Sequence, residues 1–347
     1  MEEKLLKKEV AVIGAGSWGT ALASVFAANR HHVTLWMRDA QQAAEINQRH
    51  TNEKYFPGHQ LAETIVATTE IAEAVQNKSA VLLAVPSQAM RQVVRQLAPY
   101  LHEDALLIHA TKGFELESLK RMSEVIREEV SAALGRRLCV LTGPSHAEEV
   151  ILRSPTTVVV SSEDTDSMLM AQDLLMTPHF RVYTNPDMVG AEIAGALKNI
   201  IALGAGLSDG LGFGDNAKAA LMTRGLAEIT RLGVKMGANP ITFLGLAGVG
   251  DLVATCTSKH SRNWRAGYQL GQGKQLDDVL QSMGMVVEGV RTTHAANNLA
   301  QQQDVNMPIT RTLYGILFEG KSPDQGVEEL MGRGRKEEMV DLGTYLP

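Results

Sequence analysis

The sequence predicts an α/β protein, with an N-terminal mostly parallel sheet carrying helices on both faces and an all-α C-terminal domain after it. Three observations predict this. Short apolar runs alternate with helical stretches through the first half, which is typical of a parallel sheet covered on both faces. A glycine-rich turn joins the first run to a helix. Beyond about residue 190 the apolar periodicity is helical and gives no convincing strand.

The first apolar run, residues 10–13, ends in Gly-x-Gly-x-x-Gly and passes into alanine-rich helical sequence. Gly14 allows the tight turn, Gly16 lets a pyrophosphate approach the backbone, and Gly19 lets helix and strand pack closely. The run His32–Trp36 closes a βαβ unit of about 30 residues. This context predicts a Rossmann-type domain that binds a dinucleotide at the helix N-terminus.

The residues after the second run bear on the choice of dinucleotide. Arg38 carries a planar fork of donors that suits a 2′-phosphate, so NADP(H) is favoured and NAD(H) is possible. Arg38 could instead be a solvated surface charge. Asp39 could bond a ribose hydroxyl or serve as the N-cap of a helix over 40–48.

Further strands follow in order, and the polar residues that come after them matter most. The carboxyl ends of the strands are where open α/β sheets bind ligands, so we expect Lys112, Gly143 and Ser145 to lie near a substrate. The predicted strands are 64–68, 80–85, 105–110, 138–141, 156–160 and 180–183.

The domain boundary is predicted near 186–192, giving a dinucleotide-binding domain of residues 1–188 and a helical substrate domain of residues 189–347. The absence of a spacer at this junction predicts a fixed cleft between them. The helices expected in the second domain are 189–207, 216–236, 240–246, 261–272, 276–283, 289–303, 308–319 and 323–331.

Composition limits the class of protein. The chain has 347 residues, 44% of them hydrophobic, and a net charge of 33 − 39 = −6. An acidic chain argues against nucleic acid as a partner, and an anionic substrate would need local cations. Two cysteines cannot form a disulfide framework, which fits a reducing, cytoplasmic protein. Residues 1–8 do not read as a secretory signal, and no apolar run is expected to reach the length of a membrane span, so no stable membrane insertion is expected.

A lysine stands in apolar helical sequence at 192–202. A buried lysine needs a partner, although Lys198 could also extend to the helix edge. In a desolvated cleft its lowered pKa would suit proton exchange with a ketone oxygen. Asn199 could bond a substrate oxygen or cap a turn. Asp251, after a glycine-rich turn, could be an N-cap or could pair with that lysine.

The stretch 255–263 is rich in hydroxyls and cations just before a helix. Ser261, Arg262 and Asn263 on its first turn would make a phosphate site, or an ordinary serine-capped helix with a surface arginine. Cys256 could be a nucleophile, but a packed cysteine is favoured because no recognisable His–Cys catalytic arrangement supports that role. The histidines are scattered, so no metal site is predicted.

Eight motifs in one order carry a resemblance. They are GAGSWG at 14–19, TKG at 111–113, GPS at 143–145, GALKN at 195–199, SDGLGFG at 208–214, GVGDL at 248–252, SRN at 261–263 and VEG at 287–289. Over residues 10–335 the chain resembles the bacterial NAD(P)-dependent glycerol-3-phosphate dehydrogenases. The resemblance implies reversible reduction of dihydroxyacetone phosphate to sn-glycerol 3-phosphate, which supplies glycerophospholipid synthesis, by a homodimer.

The resemblance also implies residue roles. Lys198 corresponds to the proton donor or acceptor, and Lys112 to a residue touching both cofactor and substrate. Asp251 matches a substrate-contacting position, and it is added to the catalytic group either as a catalytic residue or as one that only orients the lysine. The other positions that match substrate contacts are Gly143, Ser145, Ser261, Arg262 and Asn263, to which Lys198 and Asn199 are added as predicted substrate ligands. The positions that match cofactor contacts are Ser17, Trp18, Arg38, Ala147, Arg262, Val286 and Glu288.

The sequence also admits two competing interpretations. A β-hydroxyacid or 6-phosphogluconate-type dehydrogenase also joins a dinucleotide domain to a helical domain with a lysine near an asparagine. The SRN and GVGD stretches argue against it. A nucleotide-sensing module without turnover is the other alternative, and retention of both Lys198 and Lys112 argues against that one.

Overall fold

A computed structural model describes residues 7–284, 286–335 and 337–338. The chain forms two compact units, one made of the residues up to Thr111 together with Met122–Met188, the other of Lys112–Arg121 together with the residues from Val189 onward. This division differs from the predicted one at Lys112–Arg121, which was expected in the first domain. The reason is long-range pairing, because Lys112 bonds Asp251 and Arg121 bonds Glu192. The prediction that residues 1–8 are not a secretory signal falls mostly on residues 1–6, which lie outside the described residues.

The first unit contains an eight-stranded sheet in the order β3-β2-β1-β4-β5-β6-β7-β8. All neighbouring strands are parallel except β6 and β7, so the predicted mostly parallel sheet is confirmed, with one antiparallel pair. The strands are β1 Glu9–Ile13, β2 His32–Trp36, β3 Ile65–Thr68, β4 Ala80–Leu83, β5 Leu106–His109, β6 Leu138–Thr142, β7 Thr156–Ser161 and β8 Phe180–Asn185.

Side chains alternate between the two faces of this sheet, as the period of two requires. Val10 and Val12 belong to one buried cluster, which includes Phe26 from a covering helix. Ala11 and Ile13 belong to a second cluster on the opposite face. The helices of this unit are α1 Ser17–Ala28, α2 Ala40–Arg49, α3 Ile71–Val75, α4 Met90–Leu97, α5 Met122–Glu129, α6 Ala132–Arg136, α7 Ala147–Ile151 and α8 Thr165–Leu175.

The second unit is helical in its described residues, as predicted. Its predicted helix over 240–246 is instead a 3₁₀ turn, Pro240–Leu244, followed by a π turn, Leu246–Gly250. The helix after that turn was not predicted, because four glycines between 237 and 250 conceal the helical pattern. The helices are α9 Met188–Gly210, α10 Asp215–Lys235, α11 Asp251–Thr257, α12 Arg262–Gly271, α13 Leu276–Met283, α14 Glu288–Gln302, α15 Pro308–Phe318 and α16 Pro323–Met331.

Helix α9 corrects one expectation from the sequence. Its length of 23 residues and mean hydropathy of 1.3 would allow it to span a membrane, whereas no run of that length was expected. However, 94% of its most apolar window is buried within the chain. A helix that is apolar all round and buried is the central helix of a core.

Helices α9 and α12 approach closely through glycines. A Cβ on Gly206 would lie 2.0 Å from the carbonyl oxygen of Trp264, and one on Gly267 would lie 1.9 Å from that of Leu203. Neither position can therefore carry a side chain without separating the helices. This contact holds the first half of α12 against the C-terminal half of α9.

Candidate active site

The glycine-rich turn of the first unit has the geometry of an anion site. A Cβ on Gly14 would lie 2.8 Å from the carbonyl oxygen of Ala84, and one on Gly19 would lie 1.7 Å from that of Gly14. At Gly16 no atom lies within 4 Å of the equivalent point. Gly16 precedes α1, whose first N–H groups have no partner within the helix. Open space at Gly16 beside these donors fits a dinucleotide pyrophosphate.

Strand order supports the same location. β1 lies between β2 and β4, so the chain reverses its direction of winding there. Ligands of open α/β sheets bind at such a point. Ser17 and Trp18 begin α1 and are both half-buried.

Arg38 and Asp39 have separate positions after β2. Arg38 is exposed and forms no ion pair with a described residue. Asp39 is the N-cap of α2, because its Oδ1 accepts from the N–H groups of Gln41 and Gln42 at 2.9 and 3.2 Å. Of the two roles considered for Asp39, the structure shows the cap.

Gly143, Ser145 and Ala147 follow β6 in the first unit. Gly143 has φ +125°, and a Cβ there would lie 3.0 Å from the Cα of Val158. The Ser145 hydroxyl donates to the carbonyl oxygen of Gly143 at 3.0 Å. Ala147 is the buried first residue of α7. The turn that follows β6 is therefore held by a bond from the Ser145 side chain to the backbone of Gly143.

The second unit brings two lysines onto one carboxylate. Lys198, on α9, donates to Oδ1 of Asp251, the first residue of α11. Lys112 donates to Oδ2 of the same residue at 2.8 Å. Asp251 is 1% exposed and Lys198 is 5% exposed. Asp251 is thus not an N-cap, a position that Gly250 occupies, but the shared partner of both lysines.

The charges of this cluster determine its chemistry. Two ammonium groups and one carboxylate leave a net charge of about +1 in a buried position, which favours an anionic oxygen nearby. Burial lowers the pKa of the Lys198 ammonium to about 7, assisted by repulsion from Lys112 and opposed by Asp251. The two lysines hold the pKa of Asp251 below its usual range despite its burial. Lys198 can therefore exchange a proton near neutral pH.

Thr255 is a member of the cluster that the sequence analysis missed. Its Oγ1 accepts from Nζ of Lys198 at 2.7 Å and donates to the backbone carbonyl of Asp251 at 2.6 Å. A hydroxyl four residues after Asp251 would have been the signal, had α11 been recognised. Described residues engage two of the three N–H bonds of Lys198, so one remains for a substrate.

Asparagines connect α9, α12 and α14. Nδ2 of Asn263 donates to Oδ1 of Asn199 at 2.9 Å, and Oδ1 of Asn263 accepts from the N–H of Gly289 at 2.8 Å. Asn199 keeps its own amide N–H groups for another acceptor. Asn263 is therefore mainly a connector that orients Asn199 beside Lys198.

The first turn of α12 contains the predicted phosphate residues. Oγ of Ser261 caps the helix by accepting from the N–H of Trp264 at 3.2 Å. Arg262 is exposed and donates to the carbonyl oxygen of Val286 at 3.4 Å. Glu288 is the first residue of α14. The structure thus shows the serine cap and a cation at the helix N-terminus, where anions are favoured.

Two other residue types contribute differently. Burial raises the pKa of the Cys256 thiol to about 12, so it is a packed cysteine and not a nucleophile. In the described part of the chain, no group of three His, Cys, Asp or Glu side chains could hold a metal ion.

Comparisons with known proteins cover nearly the whole chain. Two family models, described as the N-terminus and the C-terminus of NAD-dependent glycerol-3-phosphate dehydrogenase, match residues 9–168 and 187–328. The chain is 59% identical to glycerol-3-phosphate dehydrogenase [NAD(P)+] of Geobacillus thermodenitrificans (strain NG80-2), covering 96% of this chain and 98% of that one.

A second relative and a solved structure agree with these matches. The protein of the same description from Bacillus subtilis (strain 168) is 54% identical over 96% of this chain and 97% of its own. A crystal structure of glycerol-3-phosphate dehydrogenase from Coxiella burnetii superimposes with a TM-score of 0.89 at 38% identity, covering 94% of this chain and 99% of that chain.

Proposed function

The chain belongs to the NAD-dependent glycerol-3-phosphate dehydrogenase family, and from this premise we propose that Lys198 is the proton donor and acceptor of its reaction. The enzyme is an NAD(P)-dependent oxidoreductase that interconverts dihydroxyacetone phosphate and sn-glycerol 3-phosphate. The observation that supports the proposal is the buried contact of Lys198 with Asp251 and Thr255. The competing β-hydroxyacid-type dehydrogenase has no support among the matched families.

In the direction of reduction, the Lys198 ammonium protonates the forming alkoxide. Bound NAD(P)H supplies the hydride for the carbonyl carbon. Lys112 and the free amide of Asn199 stabilise the oxygen as negative charge develops on it. Asp251 orients both lysines and is the third catalytic side chain of the predicted group, after Lys198 and Lys112. Much of the acceleration comes from positioning these groups around one oxygen.

Recognition of the phosphate is assigned to the start of α12. Arg262 is the cation of this site, and the N–H groups of the first turn complete it. Ser261 and Asn263 support the site mainly through the bonds they make to Trp264 and Asn199. Gly143 and Ser145 of the first unit are proposed as further substrate contacts on the basis of the family motif.

We propose that residues 1–188, apart from Lys112–Arg121, carry most of the dinucleotide contacts, and that residues 189–347 together with Lys112 carry most of the catalytic and substrate-binding side chains. The proposed cofactor contacts are Gly14, Gly16, Ser17, Trp18, Gly19, Arg38, Lys112, Ala147, Arg262, Val286 and Glu288. NADP(H) is favoured over NAD(H) because Arg38 is exposed and forms no ion pair with a described residue, while Asp39 is committed to capping α2. Replacing Arg38 by Ala should lower kcat/KM for NADPH more than for NADH.

The cytoplasm is the proposed location and a homodimer the proposed assembly. Both cysteines are free and buried, which fits a reducing compartment. The homodimer is supported by the resemblance to the family, and sedimentation analysis tests it.

The test of the proposed function is a pair of substitutions at Lys198. We expect Lys198→Ala to lower kcat by roughly 10²–10⁴-fold, the usual contribution of a general acid, and Lys198→Arg to rescue little because arginine stays protonated. NADPH affinity, measured by fluorescence titration, should change less than about threefold if the dinucleotide site is independent of Lys198. A mild loss of kcat would remove Lys198 from this role. Absence of turnover in the unmodified protein would favour a nucleotide-sensing module.

The phosphate assignment is tested with two substrates. Arg262→Ala should raise KM for dihydroxyacetone phosphate far more than for dihydroxyacetone, which lacks the phosphate. An equal loss with both substrates would contradict the assignment.

A further inference from the structure

The segment Lys112–Arg121, which we call the 112–121 loop, carries one catalytic lysine but has no regular helix or strand of its own. Its two ends are joined by an antiparallel bridge between Phe114 and Arg121. Inside that bridge, the N–H of Glu115 donates to the carbonyl of Lys120 at 3.0 Å. Whatever fixes Arg121 therefore also fixes the backbone two residues from Lys112.

Arg121 is fixed by a buried ion pair. Its Nη1 donates to Oε2 of Glu192 at 2.6 Å, and the two side chains are only 12% and 5% exposed. A buried carboxylate and guanidinium are costly to desolvate, so each depends strongly on the other. Glu192 lies on α9, six residues before Lys198, a rise of about 9 Å along the helix.

These contacts attach both lysines to one helix. Lys198 extends from α9 directly, and Lys112 reaches the same carboxylate of Asp251 from a loop that Glu192 ties to α9. We propose that the Arg121–Glu192 ion pair is a positioning device, which sets the distance of Lys112 from Asp251 and thereby the charge around Lys198. The proposal rests on the proposed function of Lys198 and Lys112.

The Arg121–Glu192 pair should affect the pH dependence of the reaction, which a purely structural ion pair would not. Lys112 competes for Asp251 and repels Lys198, and both effects lower the pKa of Lys198. If the loop relaxes and Lys112 moves away, Asp251 interacts with Lys198 alone, and the pKa of Lys198 rises. Because reduction needs protonated Lys198, the high-pH limb of the rate profile then moves to higher pH.

The experiment compares Glu192→Gln with a matched control. We expect Glu192→Gln to lower kcat roughly 10- to 100-fold, the scale of a small misplacement of a catalytic group, and to move the high-pH limb of kcat/KM upward by about one unit. Glu228→Gln removes another buried carboxylate of the same unit that does not contact the loop. It should leave both the limb and kcat close to those of the unmodified enzyme.

Two milder variants keep the test valid if Glu192→Gln does not fold. Glu192→Asp retracts the carboxylate and Arg121→Lys retains the charge, so each should move the limb in the same direction by a smaller amount. Variants that melt at lower temperature but keep the original limb and kcat would overturn the proposal. The same assay includes Lys198→Ala, because an active Lys198→Ala variant would contradict the proposed function itself, whereas an inactive one leaves the positioning role to be decided by the limb.

Discussion

At the scale of single residues, Asp251 decides how the site behaves. A carboxylate that is 1% exposed is stable only when its charge is compensated, and here two ammonium groups compensate it. The two ammonium groups and one carboxylate together leave an excess positive charge, which an anionic group close to the cluster would neutralise. A substrate oxygen that becomes negative during reduction lowers this charge, so the cluster is matched to the transition state more than to the empty enzyme.

Substitution of Asp251 by Asn should therefore affect the pH dependence as well as the rate. Loss of the carboxylate removes the interaction that raises the pKa of Lys198, so that pKa falls further. We expect the high-pH limb for reduction to move to lower pH by about 1–3 units and kcat at neutral pH to fall at least 100-fold. Stopped-flow or steady-state rates between pH 5 and 9 measure this. An unchanged limb would show that another group titrates.

At the scale of elements, the glycine-rich turn separates folding from binding. Gly19 has no room for a Cβ, because the carbonyl of Gly14 would be 1.7 Å away, whereas Gly16 faces open space. We expect Gly19→Ala to destabilise the protein by about 3 kcal/mol, the upper end of the usual range for overpacking, because the clash is with backbone. Gly16→Ala should leave thermal stability nearly unchanged and weaken NADPH binding at least tenfold. Normal NADPH binding by Gly16→Ala would argue against the pyrophosphate location.

A second element, α15, is capped by a side chain from another helix. Glu228 of α10 is 1% exposed and accepts from the N–H groups of Ile309 and Thr310 at 2.6 and 3.1 Å. These donors begin α15, where Pro308 lacks an N–H and Met307 provides no side-chain cap. Glu228 thus supplies the carboxylate that the helix N-terminus favours.

This cap should make stability pH-dependent. Burial raises the pKa of Glu228 to about 7, against the bonds that lower it. A carboxyl whose pKa is raised on folding stabilises the protein below its unfolded value, near 4.5, and this stabilisation is lost as the pH rises through 7. The loss is at most about 3 kcal/mol. We expect the melting temperature of Glu228→Gln to fall less between pH 5 and 8 than that of the unmodified protein, as calorimetry would show. A parallel decline in both proteins would contradict this prediction.

The elements also show what sequence reasoning can reach. The periodicity of apolar residues predicted all eight strands of the described residues, and the Gly-x-Gly-x-x-Gly motif predicted the tight turn at Gly14. Both depend on neighbours within about one turn or one strand. The antiparallel direction of β7, by contrast, is set by pairing with β6, which local periodicity does not encode.

The candidate site follows the same distinction. Lys198 and Asp251 were found because a charge in apolar or glycine-rich sequence is unusual, and Arg262 was found because it begins a helix that follows a stretch rich in hydroxyls and cations. The roles of Thr255, Arg121 and Glu192 were not predicted, because they depend on long-range contacts. Thr255 bonds a residue 57 positions away, and Arg121 and Glu192 are 71 positions apart. The sequence around a threonine or an arginine does not indicate that its side chain makes such a contact.

At the scale of the whole molecule, each unit contains one buried thiol, which makes its stability separately measurable. Cys139 lies in β6 of the first unit and Cys256 in α11 of the second, and burial raises the pKa of each to about 12. Labelling by a maleimide therefore requires local or global opening of the unit that contains the thiol. Mass spectrometry of the labelled peptides identifies which one has opened.

Ligands should then protect the two thiols differently. A ligand that binds only the folded state lowers the open population by the factor 1 + [L]/Kd, which is about 100-fold at a concentration 100 times Kd. In moderate denaturant, NADPH alone should slow labelling of Cys139 by this factor and that of Cys256 by much less, because most proposed dinucleotide contacts belong to the first unit. Glycerol 3-phosphate added to the NADPH complex should then slow labelling of Cys256. Equal protection of both thiols by NADPH alone would mean that the two units open as one cooperative body.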